Sequence, residues 1–348
     1  MAIVAAIASE GTAMKEVTAK DTVIEDGSNH STGRAYLVGT SMICLRQWLF
    51  LLCTALFLSA VPVFLCSVGQ AAENQAGGER ALLDKYPVVR AKLEKNQFGA
   101  PIYLESAEVE DSLRVEMYGI FNYPFDAVRD ALQSPADWCD ITSMHINIKA
   151  CTSRKAADQW LLTLYSGPKH YRAPADAYPL AMKFRIVSQQ PEYLAVALTA
   201  DEGPLHTRDH RIRLEAAPLE SGKTFVHFSY AYRHDKIARM VIKTYFATLA
   251  RDKVGFSVVA GTAGNPVYIS GVRGAIERNA VRYYLAVETY LDTVNYPEGQ
   301  RFEQRISRWY DLTARYSRQL KEIGKDEYIA SKRHEHINQI LQQKKDGR

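Results

Sequence analysis

The sequence predicts an α+β fold: an antiparallel sheet of about seven strands followed by one long helix and further C-terminal helices. Three observations carry that expectation. Between Leu113 and Arg233, short segments of alternating apolar and polar residues follow one another, joined by brief turn-rich connections, which favours antiparallel neighbours. After Arg233 the apolar period becomes that of a helix. Residues 270–293 then set Val272, Ile276, Ala280, Tyr283, Val287 and Tyr290 along one side of a long helix, with Arg273 and Glu277 four apart and spaced to pair.

The elements follow in order. Residues 1–41 form a polar leader. Residues 47–66 contain no charge, Arg46 precedes them, and small polar residues including Gly69 and Ala71 follow. This order reads residues 42–72 as a signal peptide, and the run is also long enough to act as an uncleaved transmembrane anchor. Met42 would open a conventional signal, so the true start is expected there. Bulky Leu65 directly before Cys66 argues against a lipoprotein signal. The expected location is the periplasm, with anchorage to the inner membrane by residues 47–66 as the alternative.

Residues 73–109 read as a linker and a short helix, with apolar residues at helical spacing from Ala81 to Leu93. A domain is expected over residues 110–295. It opens with a strand from Leu113, and Pro124 and Pro135 each suit the first turn of a short helix. Six further strands follow, the last two joined through the hairpin-like LESGK. Residues 235–268 stand out as an insertion: an amphipathic helix with Ile237, Met240, Val241, Phe246 and Leu249 near one face, then a glycine-rich stretch read as a lid or packed turn. Residues 296–348 form a helical extension.

Of 348 residues, 47% are hydrophobic and 24% charged, an ordinary globular balance. Beyond residue 72 there are 39 basic and 34 acidic side chains, and residues 301–348 alone hold 12 basic and 7 acidic. The positive excess therefore sits in the tail, which argues against a nucleic-acid partner. Phe302, Ile306, Trp309, Leu312 and Tyr316 are expected to pack that tail on the core. Contact with a membrane surface is the alternative.

The stretch VEMYGIFNYPFDAVRDALQSPADWCDI, with Pro124, Val128, Leu132 and Trp138 at its pattern positions and Arg129 where an aromatic often stands, resembles the opening of a START-like domain. The superfamily also includes polyketide cyclase and aromatase-like proteins and the Bet v 1 group. The resemblance covers residues 110–295 and rests mainly on element order. It implies a helix-grip fold, a curved sheet around the long helix, that holds an apolar or amphiphilic small molecule such as a lipid. It supplies no catalytic motif, and neither the insertion nor the C-terminal extension belongs to the pattern.

Alternation sorts the candidate residues onto faces but does not say which face is inward. His145, Asn147, Lys149 and Cys151 share one strand face. On the last strand His227 and Tyr230 lie on opposite faces. Arg211 and Arg213 are suited to gripping an anionic head group, although a solvent-facing ladder with Asp209 and Glu215 is the preferred reading. The candidate ligand-contacting set is His145, Asn147, Arg211, Arg213, His227, Tyr230 and Tyr283. Asp126 and Asp130 read as a solvated helix face. Catalysis by His145 and Cys151 is disfavoured, since six strand residues separate them by roughly 20 Å. No cofactor or metal spacing is present; Cys139 and Cys151 are expected to form a disulfide clamp, with two buried free thiols as the alternative. The leading expectation is binding, sequestration or transfer of a hydrophobic ligand in the cell envelope. A cyclase- or hydratase-like enzyme using the same cavity and an envelope interaction module are the alternatives.

Overall fold

The computed structural model describes residues 76–346, except 249 and 263. Expectations for the leader, the apolar run and the cleavage region fall outside these residues. The transmembrane reading is corrected to this extent: among the described residues no helix is long and apolar enough to cross a membrane.

One antiparallel sheet of eight strands dominates the fold. Its members are β1 (Ile102–Val109), β2 (Ser112–Phe121), β3 (Ile148–Ala156), β4 (Gln159–Ser166), β5 (Tyr178–Gln190), β6 (Tyr193–Glu202), β7 (Thr207–Leu219) and β8 (Lys223–His234). Their order is β1-β2-β8-β7-β6-β5-β4-β3, so the strand opening the core pairs with the strand closing it. Two short helices, α2 (Phe125–Leu132) and α3 (Pro135–Ser143), occupy the crossover from β2 to β3. Pro124 and Pro135 sit at their starts, and the Ser134 hydroxyl caps α3. The LESGK turn closes the β7–β8 hairpin with Ser221 and Gly222 at positive φ.

The strand count rises from about seven to eight because β1, read as linker, adds an edge strand paired along its whole length with β2. Ahead of it, α1 (Ala76–Glu94) lays Leu82, Val89 and Leu93 on Tyr118, Tyr193, Ala195, Ala217 and Phe225 of the convex face. The other face grips α5 (Gly271–Thr293), and the curved, open sheet with its C-terminal helices is a helix-grip-like architecture.

The insertion comprises α4 (Lys236–Ala247) and a hairpin of β9 (Val254–Thr262) with β10 (Asn265–Ser270). In α4 the buried stripe is Ala238, Ile242 and Phe246, whereas Met240 and Val241 face solvent, so the sequence-predicted face is rotated. The glycine-rich stretch is a strand pair docked on α5. Gly255 and Gly274 lie back to back there, and a Cβ on Gly274 would stand 2.9 Å from the Gly255 nitrogen. Glu277 secures the contact: its carboxylate accepts from the Phe256 and Ser257 amides and from the Ser106 and Ser257 hydroxyls. Arg273 does not pair with Glu277; it reaches the Ser106 carbonyl at 2.6 Å.

The extension forms α6 (Glu298–Ala314), the single turn α7 (Ser317–Leu320) and α8 (Lys325–Asp346). Ile306, Trp309 and Leu312 are buried, with Trp309 Nε1 donating to the Arg282 carbonyl of α5. Between sheet, hairpin and extension, α5 is buried nearly all round, including Glu277, Arg278, Asn279 and Arg282. Arg282 meets Glu322 at 3.1 Å, so the charges that look solvent-facing in sequence are partnered inside.

Candidate ligand site in the sheet–helix interior

The structure fixes which faces point inward. On β8 the concave face carries Val226, Phe228, Tyr230 and Tyr232, and on β7 it carries His210, Ile212 and Leu214, in one continuous apolar cluster with α5. Two polar groupings interrupt this apolar interior.

The first centres on His210 and Tyr230. His210 Nε2 lies 3.0 Å from Thr207 Oγ1, and that hydroxyl donates to the Pro204 carbonyl at 2.6 Å. The Thr207 proton is thereby spent, so His210 Nε2 must carry the donated hydrogen. Its Nδ1 is left to accept, at 3.0 Å, from the Tyr230 hydroxyl. Burial pushes His210 down to about 3, which keeps it neutral at ordinary pH. Gly203 makes the close approach feasible, since a Cβ there would stand 2.1 Å from His210 Nε2.

The second grouping joins His145 to α5. His145 Nδ1 accepts from the Asn147 amide at 3.1 Å, and Nε2 donates to Asn279 Oδ1 at 3.2 Å. Both ring nitrogens are occupied, and burial holds the imidazole neutral, well below its usual range. Its ring stacks on Tyr283, with centroids 4.9 Å apart. The Tyr283 hydroxyl is buried without a hydrogen-bond partner. Burial raises the hydroxyls of Tyr230 and Tyr283, so both are neutral donors.

The sheet separates Arg211, Arg213 and His227 from this interior. Arg211 is exposed on the convex face. Arg213 there donates to Glu215 at 2.9 Å and to the Tyr193 hydroxyl at 3.2 Å. His227 stands between Glu215 and Glu116, at 2.9 and 2.7 Å. Burial opposes charge on His227, but hydrogen bonds to Glu116 and Glu215 outweigh it and raise its pKa. Asn147 holds the start of β3 by donating to the Gly167 carbonyl. Asp126 and Asp130 both pair with Arg129 at the surface.

Cys139 and Cys151 form a disulfide, linking α3 to β3. Among the described residues no group of three His, Cys, Asp or Glu side chains is placed to share a metal ion. Asn279, Thr207 and Gly203 escaped the sequence reading. For His210 the signal was present: alternation in RDHRIRLE put it on the face of Ile212 and Leu214.

No family model matches the chain, and no curated protein matches it. Among solved structures, a Streptomyces aromatase/cyclase is 12% identical over 54% of this chain and 98% of its own, with a TM-score of 0.33. A STAR-related lipid transfer protein fragment from Xanthomonas axonopodis is 15% identical over 43% and 89%, with a TM-score of 0.30. Norcoclaurine synthase from Thalictrum flavum is 11% identical over 41% and 91%, with a TM-score of 0.31. Superpositions this loose carry no argument about function, and the description of the fold rests on the strand order given above.

Proposed function

We propose that the protein holds a small, largely apolar molecule bearing a hydrogen-bond acceptor between the concave sheet face and α5. The observation that carries this reading is the Tyr283 hydroxyl, a buried donor without a partner that lies near Tyr230. Leaving such a group unpaired costs about 1–3 kcal/mol, which an acceptor on a bound molecule would offset. Tyr230 stands on the facing strand with its proton directed to His210, which leaves its oxygen able to accept. The interior thus offers one donor and one acceptor amid apolar walls, the usual composition of a small-molecule site.

Catalysis in the same interior is the second reading, favoured by the Tyr230–His210 contact. In that reading a substrate proton passes to the Tyr230 oxygen as the Tyr230 proton passes to His210 Nδ1, while Tyr283 polarises a substrate carbonyl; His210, held at about 3, is a weak base for that relay. Lipid transfer is a narrower form of the binding reading. The Cys139–Cys151 disulfide supports placement in an oxidising compartment, in line with the export segment expected at residues 42–72.

The test is fluorescence displacement on the full chain, using 1-anilinonaphthalene-8-sulfonate as reporter and aromatic ketones or long-chain fatty acids as competitors. Competitors with an acceptor oxygen should bind, and Tyr283→Phe should weaken them about tenfold. Equal binding by Tyr283→Phe, or no displacement by any competitor, would overturn the proposal. A ketone that Tyr230→Phe binds normally but no longer converts would select the catalytic reading.

A further inference from the structure

A cavity of about 310 Å³ lies at the junction of α3, α5, α6 and α8. Its lining differs in kind from the sheet–helix interior. Asp137 and Asp140 come from α3, Tyr290 from α5, Glu298, Arg301 and Arg305 from α6, and His336 from α8. Met144, Phe302 and Ile306 supply the apolar part, and Phe302 is stacked on His336 with centroids 4.0 Å apart.

The charges here are only partly matched. Arg305 Nη1 donates to Asp140 at 2.7 Å, and its guanidinium lies 4.3 Å from the Tyr290 ring centroid. The Arg305 side chain is only 9% exposed, yet its Nε is buried without a hydrogen-bond partner. Arg301 contributes a second guanidinium to the cavity. Asp137 also lines the cavity; its carboxyl is held by the Tyr290 hydroxyl, lies within the field of Arg305 and makes no ion pair among the described residues. Burial pushes its carboxyl up and the neighbouring Asp140 adds to that rise, against the pull of the Tyr290 hydrogen bond and of the Arg305 charge. Burial also pushes His336 down, leaving it an uncharged wall.

We propose that this cavity binds a small zwitterion with an apolar side chain, of the class of the apolar α-amino acids. The ligand carboxylate would meet the guanidinium groups of Arg301 and Arg305, its ammonium would meet Asp137 and Glu298, and its side chain would lie on Met144, Ile306 and Phe302. A simple anion would pair with the guanidinium groups and be repelled by the Asp137 carboxylate. A simple cation would do the reverse. Only a ligand with both charges completes both halves. The site is separate from the interior site proposed above and does not depend on it.

The experiment is isothermal titration calorimetry of the full chain with L-phenylalanine and L-leucine. Each is compared with its deaminated analogue, 3-phenylpropanoate or 4-methylpentanoate, and its decarboxylated analogue, 2-phenylethylamine or isopentylamine. At least one amino acid should bind about tenfold or more tighter than both of its single-charge analogues. Asp137→Asn preserves the side-chain shape and an oxygen for the Tyr290 hydroxyl; it should unfold like the wild type and reduce the amino acid to the affinity of the deaminated analogue. Equal binding by the deaminated analogue, or no heat from either amino acid at millimolar concentration, overturns the proposal. The wild-type comparison decides the matter even if the variant fails to fold.

Discussion

Gln343 of α8 treats Ser153 of β3 as a neighbouring strand would: its Oε1 accepts from the Ser153 amide at 2.8 Å and its Nε2 donates to the Ser153 carbonyl at 2.8 Å. One helical turn earlier, Gln339 Oε1 accepts from the Cys151 amide at 2.9 Å. The register works because four helical residues rise about 6 Å and two strand residues about 6.6 Å. β3 is a sheet edge, and these amides occupy backbone groups that would otherwise be free to pair with another chain. Replacing both glutamines with alanine should cost about 1–3 kcal/mol, speed hydrogen exchange at the Cys151 and Ser153 amides, and promote edge association on size-exclusion chromatography. Exchange as slow as in the wild type would refute the capping role.

This docking shows where the sequence stops being readable. The alternation in β7 and β8 was legible because one face of each is apolar, and it placed Asp209, Arg211, Arg213 and Glu215 correctly together on the outer face. α5 was legible as a helix but not as a buried one. Its charges look solvated until Glu277 is seen to anchor a hairpin and Arg282 to meet Glu322. The same blindness hid β1, whose Glu105, Ser106 and Glu108 break the apolar pattern. His145 and Tyr283 are 138 positions apart, and no local period reports that their rings stack.

Two histidines should give the stability curve opposite slopes. His210 titrates at about 3 in the fold against about 6.5 when unfolded, so its contribution is full above pH 6.5 and is lost as pH falls toward 3. His227 is raised in the fold, so its contribution is full below about 6.5 and is lost as pH rises through the raised value. His227→Gln should therefore lose more stability at about pH 5.5 than at about pH 8.5, whereas His210→Phe should lose less at the lower pH. Urea midpoints measured across that range check both, and curves parallel to the wild type would contradict the assignments.

The disulfide between Cys139 and Cys151 closes a short loop across the α3–β3 joint, with Cα atoms 5.0 Å apart. Constraining the unfolded chain this way contributes about 3 kcal/mol. Substituting both cysteines with alanine should lower the urea midpoint accordingly. An unchanged midpoint, or two free thiols titrated in the denatured unreduced chain, would remove the clamp.

Glu335 of α8 serves two buried lysines at once. Its Oε1 lies 2.8 Å from Lys149 Nζ, and its Oε2 lies 2.7 Å from Lys332 Nζ. Both ammonium groups also donate to backbone: Lys149 to the Ile146 carbonyl, and Lys332 to the carbonyls of His145 and Ile148. The cluster thus fastens the C-terminal helix beneath the segment carrying His145. Burial lowers both lysines and Glu335 opposes that shift; Lys149 settles at about 8. Glu335→Gln leaves two buried cations without a counter-charge, and the expected loss near neutral pH is about 3–5 kcal/mol. Because the unfolded lysines stay protonated to about pH 10.4, losing these protons in the fold should let the variant regain stability between about pH 7 and 10. Guanidinium midpoints for wild type and variant at several pH values provide the measurement. A loss under about 1 kcal/mol, or a loss that does not shrink as pH rises, would show that Glu335 does not neutralise the pair.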